Sequence, residues 1–240
     1  MRNYILASPE VSIIIPAWNE SANLPATLAA ISRLSSAVEI IVVDGGSADN
    51  TTAIARSAGA RVIQSKLGRG VQLQAGAMAA TGDVLWFLHA DTVPPANAVA
   101  SILTSLKDPA VSGGNFTLRF AGDGSSTLLT FIYPRLRMLG LCYGDSGIFV
   151  RRTIAESIGG LRPYPIFEDV DLVRRVKRTG RFVHLPCEIV TSSRRFEGRS
   201  FALTFALWTV MQVLFWLGVS PNLLNRAYRP LRSPGRRAAV

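Results

Sequence analysis

The sequence predicts an α/β domain with a mainly parallel central sheet and flanking helices, followed by a hydrophobic and basic helical appendage. Three observations carry this. From Val11 to about Val190, short β-rich runs alternate with helical patterns, as βαβ units require. "EIIVVD" holds four apolar residues in a row, the pattern of a strand covered on both faces. From Arg194 onward the composition changes, and eight arginines face a single acid, Glu197. The expected boundary lies there, with residues 1–193 forming the α/β domain and 194–240 the appendage.

The elements follow in order. "VSIII" is the first strand, ended by Pro16, and after the capping residues of "NES" Leu24, Leu28, Ile31 and Leu34 recur at helical spacing. "EIIVVD" is the second strand; a helix through Thr51–Ala58 stops at Gly59, and "RVIQS" is strand-like. Past Gly68 and Gly70, "VQLQAGAMAAT" reads as a helix closed by Gly82, and Val84–Leu88 as the fourth strand. Residues 95–107 form a helix with Val99, Ile102, Leu103 and Leu106 on its buried face. "SGGNFTLRF" and "SGIFVRR" read as strands around a helix near 126–139. "EDVDLVRRVKRTG" is a helix with acids in its first turn and bases in its last, matching the macrodipole.

Composition bounds the function. With 48% hydrophobic residues, 240 residues can bury a full core. Cys142 and Cys187 match no CxxC or metal-finger spacing, which fits two reduced thiols in a reducing compartment. "MRNYILASPE" has too few apolar residues for a secretory signal, so the expected location is cytoplasmic. The net charge of +10 is compatible with nucleic acid, anionic lipid or plain solubility.

Ligands of open parallel sheets sit beyond the carboxyl ends of the strands. The polar residues there are Asn19 and Glu20 after the first strand, Asp44 after the second, and His89 and Asp91 after the fourth. Each could cap a helix; their coincidence on one edge points to a site. No GxGxxG follows the first strand and no GxxxxGK[ST] occurs, so dehydrogenase-type dinucleotide binding and P-loop chemistry lose their main support. In "GRG" the glycines serve either a turn or close approach to a ligand, with Arg69 available to a phosphate.

"VSIIIPAWNE", "VVDGGSADNT", "GRGVQLQAGAMAATGDVLWFLHADT" and "FEDVDLVRRVKRTG", in this order, resemble the family-2 glycosyltransferases of the GT-A fold over roughly residues 10–190. The Gly-Arg-Gly block and "FLHADT" resemble most the small bacterial selenodomain-associated or arsenosugar-biosynthesis group. The resemblance implies a nucleotide-diphosphate sugar (UDP or GDP) as donor, surrounded by Pro16, Ala17, Asn19, Glu20, Asp44, Gly68, Arg69, Gly70, His89 and Ala90. "HAD" stands where the family has Asp-x-Asp, which makes Asp91 the ligand of Mg²⁺ or Mn²⁺. His89 departs from the pattern, with three roles open to it: touching ribose, ligating metal, or holding Asp91. "DGGS" replaces the common Asp-Asp-Gly-Ser, so a contribution from Gly45 does not carry over. In "EDVDL", Asp169 matches the general base of an inverting displacement and Glu168 is the fallback, although both acids and Asp171 would also favour a helix N-terminus by charge alone. Gly144, Asp145 and Ser146 match the segment closing over the donor sugar. "SSRRFEGRS" stands in place of the processive Gln-x-x-Arg-Trp motif, so a single sugar is expected per turnover, a hexose by resemblance.

Residues 200–225 carry no charge, and Phe201–Val219 is long enough to span a bilayer. Arginines on both sides argue against one crossing. An interfacial helix on the cytoplasmic face of a membrane and a helix packed on the domain or across a homodimer are both expected readings, and no nucleic-acid motif is present. The acceptor is correspondingly either lipid-linked or a small molecule. Two other functions stand beside transfer: a sugar nucleotidyltransferase, disfavoured by "PAWNE" after the first strand, and an inactive membrane-associated nucleotide-sugar-binding module.

Overall fold

The strands in chain order are Val11–Ala17 (β1), Glu39–Asp44 (β2), Arg61–Gln64 (β3), Val84–Phe87 (β4), Thr92–Val93 (β5), Val111–Ala121 (β6), Phe149–Arg151 (β7) and Arg181–Ser192 (β8). The helices are Leu24–Ile31 (α1), Thr51–Ser57 (α2), Arg69–Ala79 (α3), Ala98–Ser105 (α4), Arg152–Ser157 (α5), Glu168–Val176 (α6), Phe201–Trp216 (α7) and Pro221–Tyr228 (α8). This computed structural model describes residues 10–121, 146–192 and 201–228, with side chains from 206 onward in the last segment. The expected helix near 126–139, Cys142, Gly144, Asp145 and all the tail arginines except Arg226 lie outside the described residues.

The eight strands form one sheet in the order β3-β2-β1-β4-β7-β6-β8-β5. The pairs β1–β2, β2–β3, β1–β4 and β6–β8 are parallel, whereas β4–β7, β6–β7 and β5–β8 are antiparallel. Alternation along β1 feeds both faces: Ile13 and Ile15 join Leu24, Leu28, Val99 and Ile102 on the α1–α4 side, while Ile14 joins Leu73, Leu172 and Val176 on the α3–α6 side. All three isoleucines are fully buried, which explains why this strand reads as an unbroken apolar run.

Two strands have no clear sequence signature. In β8 the register against β6 shifts between Phe116 and Thr117, whose partners are Leu185 and Glu188, so Pro186 and Cys187 form an irregularity where a missing N–H is tolerated. In β5 only Thr92 and Val93 pair, with Thr191 and Val190, and a hydroxyl contact of 3.2 Å joins Thr92 to Thr191. Tertiary pairing makes this strand, and local propensity over two residues cannot.

A third apolar cluster joins α7 and α8 to the start of α6. Ile166, Phe167 and Val170 pack with Met211, Phe215, Leu224 and Tyr228. Burying each large side chain contributes about 1.5–3 kcal/mol. The opposite side of the pair leaves Val210, Val213, Leu214, Trp216, Leu217 and Leu223 exposed, Leu217 at 76%. Among the described residues no helix is long and apolar enough to cross a membrane.

Candidate active site at the carboxyl edge

The carboxyl ends of β1, β2 and β4 meet at one edge because β1 lies between the other two. Pro16 stands beside Val43 and Ala17 beside Asp44. The loops that follow are tied to each other by polar contacts. Asn19, at φ +53, donates its N–H to Ser47 Oγ (2.8 Å) and accepts through Oδ1 from the Ala48 N–H (2.8 Å). The Glu20 N–H bonds Thr51 Oγ1 at 2.8 Å and the Ser21 N–H bonds Asp49 Oδ2 at 3.1 Å. The Glu20 carboxylate accepts from Asn23 Nδ2 at 2.7 Å.

Asp44 is buried, and burial by itself would raise its pKa. Hydrogen bonds from Ser47, Gln64 and Gly46 outweigh that and hold its carboxyl below the ordinary range, so it is a fixed negative charge at the β2 end. Asp49 is likewise pulled down to about 2, because donors from Thr51 and Ser21 outweigh its desolvation.

Between the two strand ends lies Gln72, almost fully buried on α3. Its Nε2 donates to the carbonyls of Ala17 and Val43, both at 2.8 Å. These two bonds tie α3 to the ends of β1 and β2, where the Ala17 carbonyl also accepts the Gly45 N–H at 2.9 Å. Sequence reasoning passed over Gln72, Ser47 and Asp49, which sit inside the motif segments; a Gln on an Ala-rich helix reads as a solvated position.

The turn after β4 carries His89, Ala90 and Asp91. Thr27 Oγ1 of α1 donates to the Ala90 carbonyl at 2.8 Å, and the Thr92 N–H reaches the His89 carbonyl at 3.2 Å. Ala90 is buried, whereas His89 and Asp91 are half-buried. The turn is therefore anchored from below by α1 and from ahead by the β5–β8 pairing.

Arg69 draws the remaining pieces together. It begins α3, preceded by Gly68 at φ +148, a backbone conformation that favours glycine. Its Nε donates to Glu168 Oε1, its Nη2 lies 3.3 Å from Asp169 Oδ2, and its Nη1 lies 3.4 Å from His89 Nε2. Arginine has donors only, so His89 faces it with the lone pair of Nε2, and a metal bond through that nitrogen requires Arg69 to move aside. Gly70 makes the meeting of α3 and α6 possible: a Cβ there would stand 2.5 Å from the Tyr164 carbonyl oxygen, so only glycine lets the 162–164 backbone cross the start of α3.

Glu168 is fully buried, and its Oε2 has no hydrogen-bond partner among the described residues. Burial pushes its pKa up, Arg69 opposes the shift and the charge of Asp169 adds to it. Asp169 accepts the Val170 N–H at 2.8 Å and keeps 7% exposure. The preceding residue, Phe167, is at φ +61, rare for an aromatic side chain and costing about 1–3 kcal/mol that the surroundings must supply.

Among the described residues no cluster of three or more His, Cys, Asp or Glu could hold a metal by itself. The donors available, the Asp91 carboxylate with His89 two residues earlier, fit a hard divalent cation that takes most of its oxygens from bound phosphates and water. Ser146 is buried and accepts from Asn115 Nδ2 at 2.8 Å; Asn115 Oδ1 in turn contacts His184 Nδ1 at 2.5 Å.

The chain is similar to known proteins. A 4,4'-diaponeurosporenoate glycosyltransferase of Staphylococcus haemolyticus is 38% identical over 89 residues, 34% of this chain and 24% of the relative. An undecaprenyl-phosphate 4-deoxy-4-formamido-L-arabinose transferase of Aeromonas hydrophila is 37% identical over 106 residues, 39% of this chain and 32% of the relative. The match thus spans about a quarter to a third of these relatives. Among solved structures, a mannosyltransferase from Pyrobaculum calidifontis in complex with GDP-Man and Mn²⁺ superposes with a TM-score of 0.70 at 19% identity, covering 93% of this chain and 70% of that one, a likeness of fold. Residues 12–155 match the description Glycosyl transferase family 2, more than half of the sequence, and the chain belongs to that family.

Proposed function

We propose that the protein transfers one sugar from a nucleotide-diphosphate donor to an acceptor hydroxyl, with inversion and with help from a divalent metal. The observation that carries this reading is the Arg69 guanidinium, which gathers His89, Glu168 and Asp169 at the edge where the β1 and β2 loops form a polar wall.

In this reading the β1 and β2 ends, with Pro16, Ala17, Asn19, Glu20 and Asp44, hold the nucleoside. Gly68, Arg69, Gly70, His89 and Ala90 flank the ribose and diphosphate. Asp91 and, with Arg69 displaced, His89 are the residues that hold the metal, which when bound supplies Lewis-acid neutralisation of the departing diphosphate. Arg69 adds a second positive charge on the same side, in a fork suited to phosphate oxygens. Asp169 takes the proton of the acceptor hydroxyl as that oxygen attacks from the face opposite the leaving group, which gives inversion in one displacement. Glu168 is the alternate base. Its full burial suits it better to holding Arg69, because a base must face the hydroxyl it deprotonates.

A membrane-borne acceptor is favoured by the exposed apolar face of α7 and α8 together with the arginine-rich flanks of the sequence. The named lipid-phosphate relative agrees with that reading. A peripheral position on the cytoplasmic membrane face follows from it. The likeness of the Gly-Arg-Gly and "FLHADT" segments to the arsenosugar group supports the other acceptor class, a small soluble hydroxyl compound.

Calorimetry and thermal shift with UDP, GDP and their sugar conjugates, with and without Mn²⁺, test the donor site. Stabilisation by one nucleotide that requires Mn²⁺ and disappears in Asp91→Ala is expected, since a ligand bound only to the native state raises the melting temperature. Failure of every nucleotide to bind folded wild-type protein sinks the reading.

A further inference from the structure

We infer that Phe167 is a positioning residue for the acids at the start of α6, and that α7 is the element that holds it in place. The inference rests on the reading of Asp169 as base only in its consequence for turnover; the clamp itself is geometric. Phe167 is at φ +61 and 2% exposed. A large L side chain leaves that region unless its surroundings keep it there. Those surroundings come from α7: Phe215 stacks on the Phe167 ring at 5.2 Å with an interplanar angle of 23°, and Trp208 meets it edge-on at 5.8 Å and 89°. Trp208 leans in turn on Tyr228 of α8, at 5.3 Å.

The backbone of Phe167 decides where the acids go. Its carbonyl accepts the Asp171 N–H at 2.9 Å, which closes the first turn of α6, and the next two residues are Glu168 and Asp169. Relaxation of φ at Phe167 toward ordinary values rotates that first turn against Arg69, which α3 and the Tyr164 contact at Gly70 hold from the other side. The acids thus lie between two supports, one of them an aromatic clamp supplied from 40 to 60 residues farther along the chain.

The test compares wild type with Phe215→Ala and Phe215→Leu, all shown to be folded by circular dichroism. Crystal structures read the clamp directly. In Phe215→Ala, Phe167 is expected to leave positive φ and the 3.3 Å contact of Arg69 with Asp169 to be lost; retention of both overturns the inference. Release of UDP from UDP-glucose or GDP from GDP-mannose reads the consequence. The expected result is a fall in kcat of roughly ten- to hundredfold, the scale of about 1 Å of misplacement, with KM for the donor and affinity for the free nucleotide unchanged and with substantial recovery in Phe215→Leu. Equal loss of nucleotide affinity and kcat would show a merely structural role and overturns the inference. A backbone shift present in Phe215→Ala with kcat unchanged sinks the base assignment and leaves the clamp standing.

Discussion

The proposed nucleoside side and the proposed base side of the carboxyl edge are held by different forces. On the first, the β1 and β2 loops satisfy one another through neutral and charged hydrogen bonds among Asn19, Ser21, Ser47, Asp49 and Thr51, and Gln72 bonds both strand ends beneath them. On the second, Glu168 and Asp169 depend on one guanidinium and one aromatic clamp. A wall built from many small contacts loses little when one is removed. A carboxylate placed by a long-range ion pair and a remote clamp loses position when one of them fails.

The largest effect should separate the two sides cleanly. Asp169→Asn is expected to lower kcat about 10²–10⁴-fold, the usual worth of a general base, while nucleotide binding measured by calorimetry stays at wild-type strength. Loss of binding in that variant would erase the distinction between the sides.

Arg69→Met comes next and strikes the base side's own support. It leaves a buried carboxylate without its cation, which costs about 3 kcal/mol, the low end of the range for a broken buried pair because the guanidinium keeps some solvent contact. The sign with pH follows from the raised folded pKa of Glu168. Its contribution to stability is fully present below the unfolded value of 4.5 and is lost as pH rises through the folded one. The deficit of Arg69→Met in thermal melts should therefore shrink as pH falls from neutrality toward 4.5, and adding Glu168→Gln should abolish that pH dependence.

Gly70→Ala sharpens the comparison further. The added methyl meets the Tyr164 carbonyl at 2.5 Å, and relief of the overlap costs about 1–3 kcal/mol. Turnover should fall more than nucleotide affinity, because the backbone displaced is the one that leads into α6. The smallest effect belongs to the nucleoside side. Asp49→Asn should cost about 1 kcal/mol at neutral pH after allowance for solvent screening. A depressed pKa contributes stability above the unfolded value of 3.8 and loses it as pH falls through about 2, so wild type and variant should converge in acid.

How far the sequence disclosed this depends on where each contact originates. β1, β2, β4 and α6 carry their own periodicity, and Arg69, His89, Asp91, Glu168 and Asp169 stand in short motifs, so all could be named from the residues alone. The nucleoside-side ties join segments about 30 residues apart, and only their polar end residues were visible. The aromatic part of the base-side support was not visible at all: nothing local in "PIFEDV" announces a left-handed Phe167, since its cause lies in Trp208 and Phe215. β5 and β8 were missed for the same reason, because one is made by pairing and the other is broken by Pro186. The mean apolarity of α7 predicted burial or a membrane with equal force. In the structure one side of the helix packs on α6 and the other is exposed.

The reversed direction of β7 changes which flank of a strand can evolve new specificity. β1, β2 and β4 present their following loops to the candidate-site edge, but β7 runs against β4, with Phe149 beside Trp86 and the Phe87 N–H on the Ile148 carbonyl. Ser146 and Gly147, which precede β7, therefore fall level with the His89 turn. For loop grafting or directed evolution the rule inverts at β7, as it does at β5: diversity inserted before β7 alters the rim of the candidate site, whereas diversity inserted after it, at α5, alters the far end of the sheet.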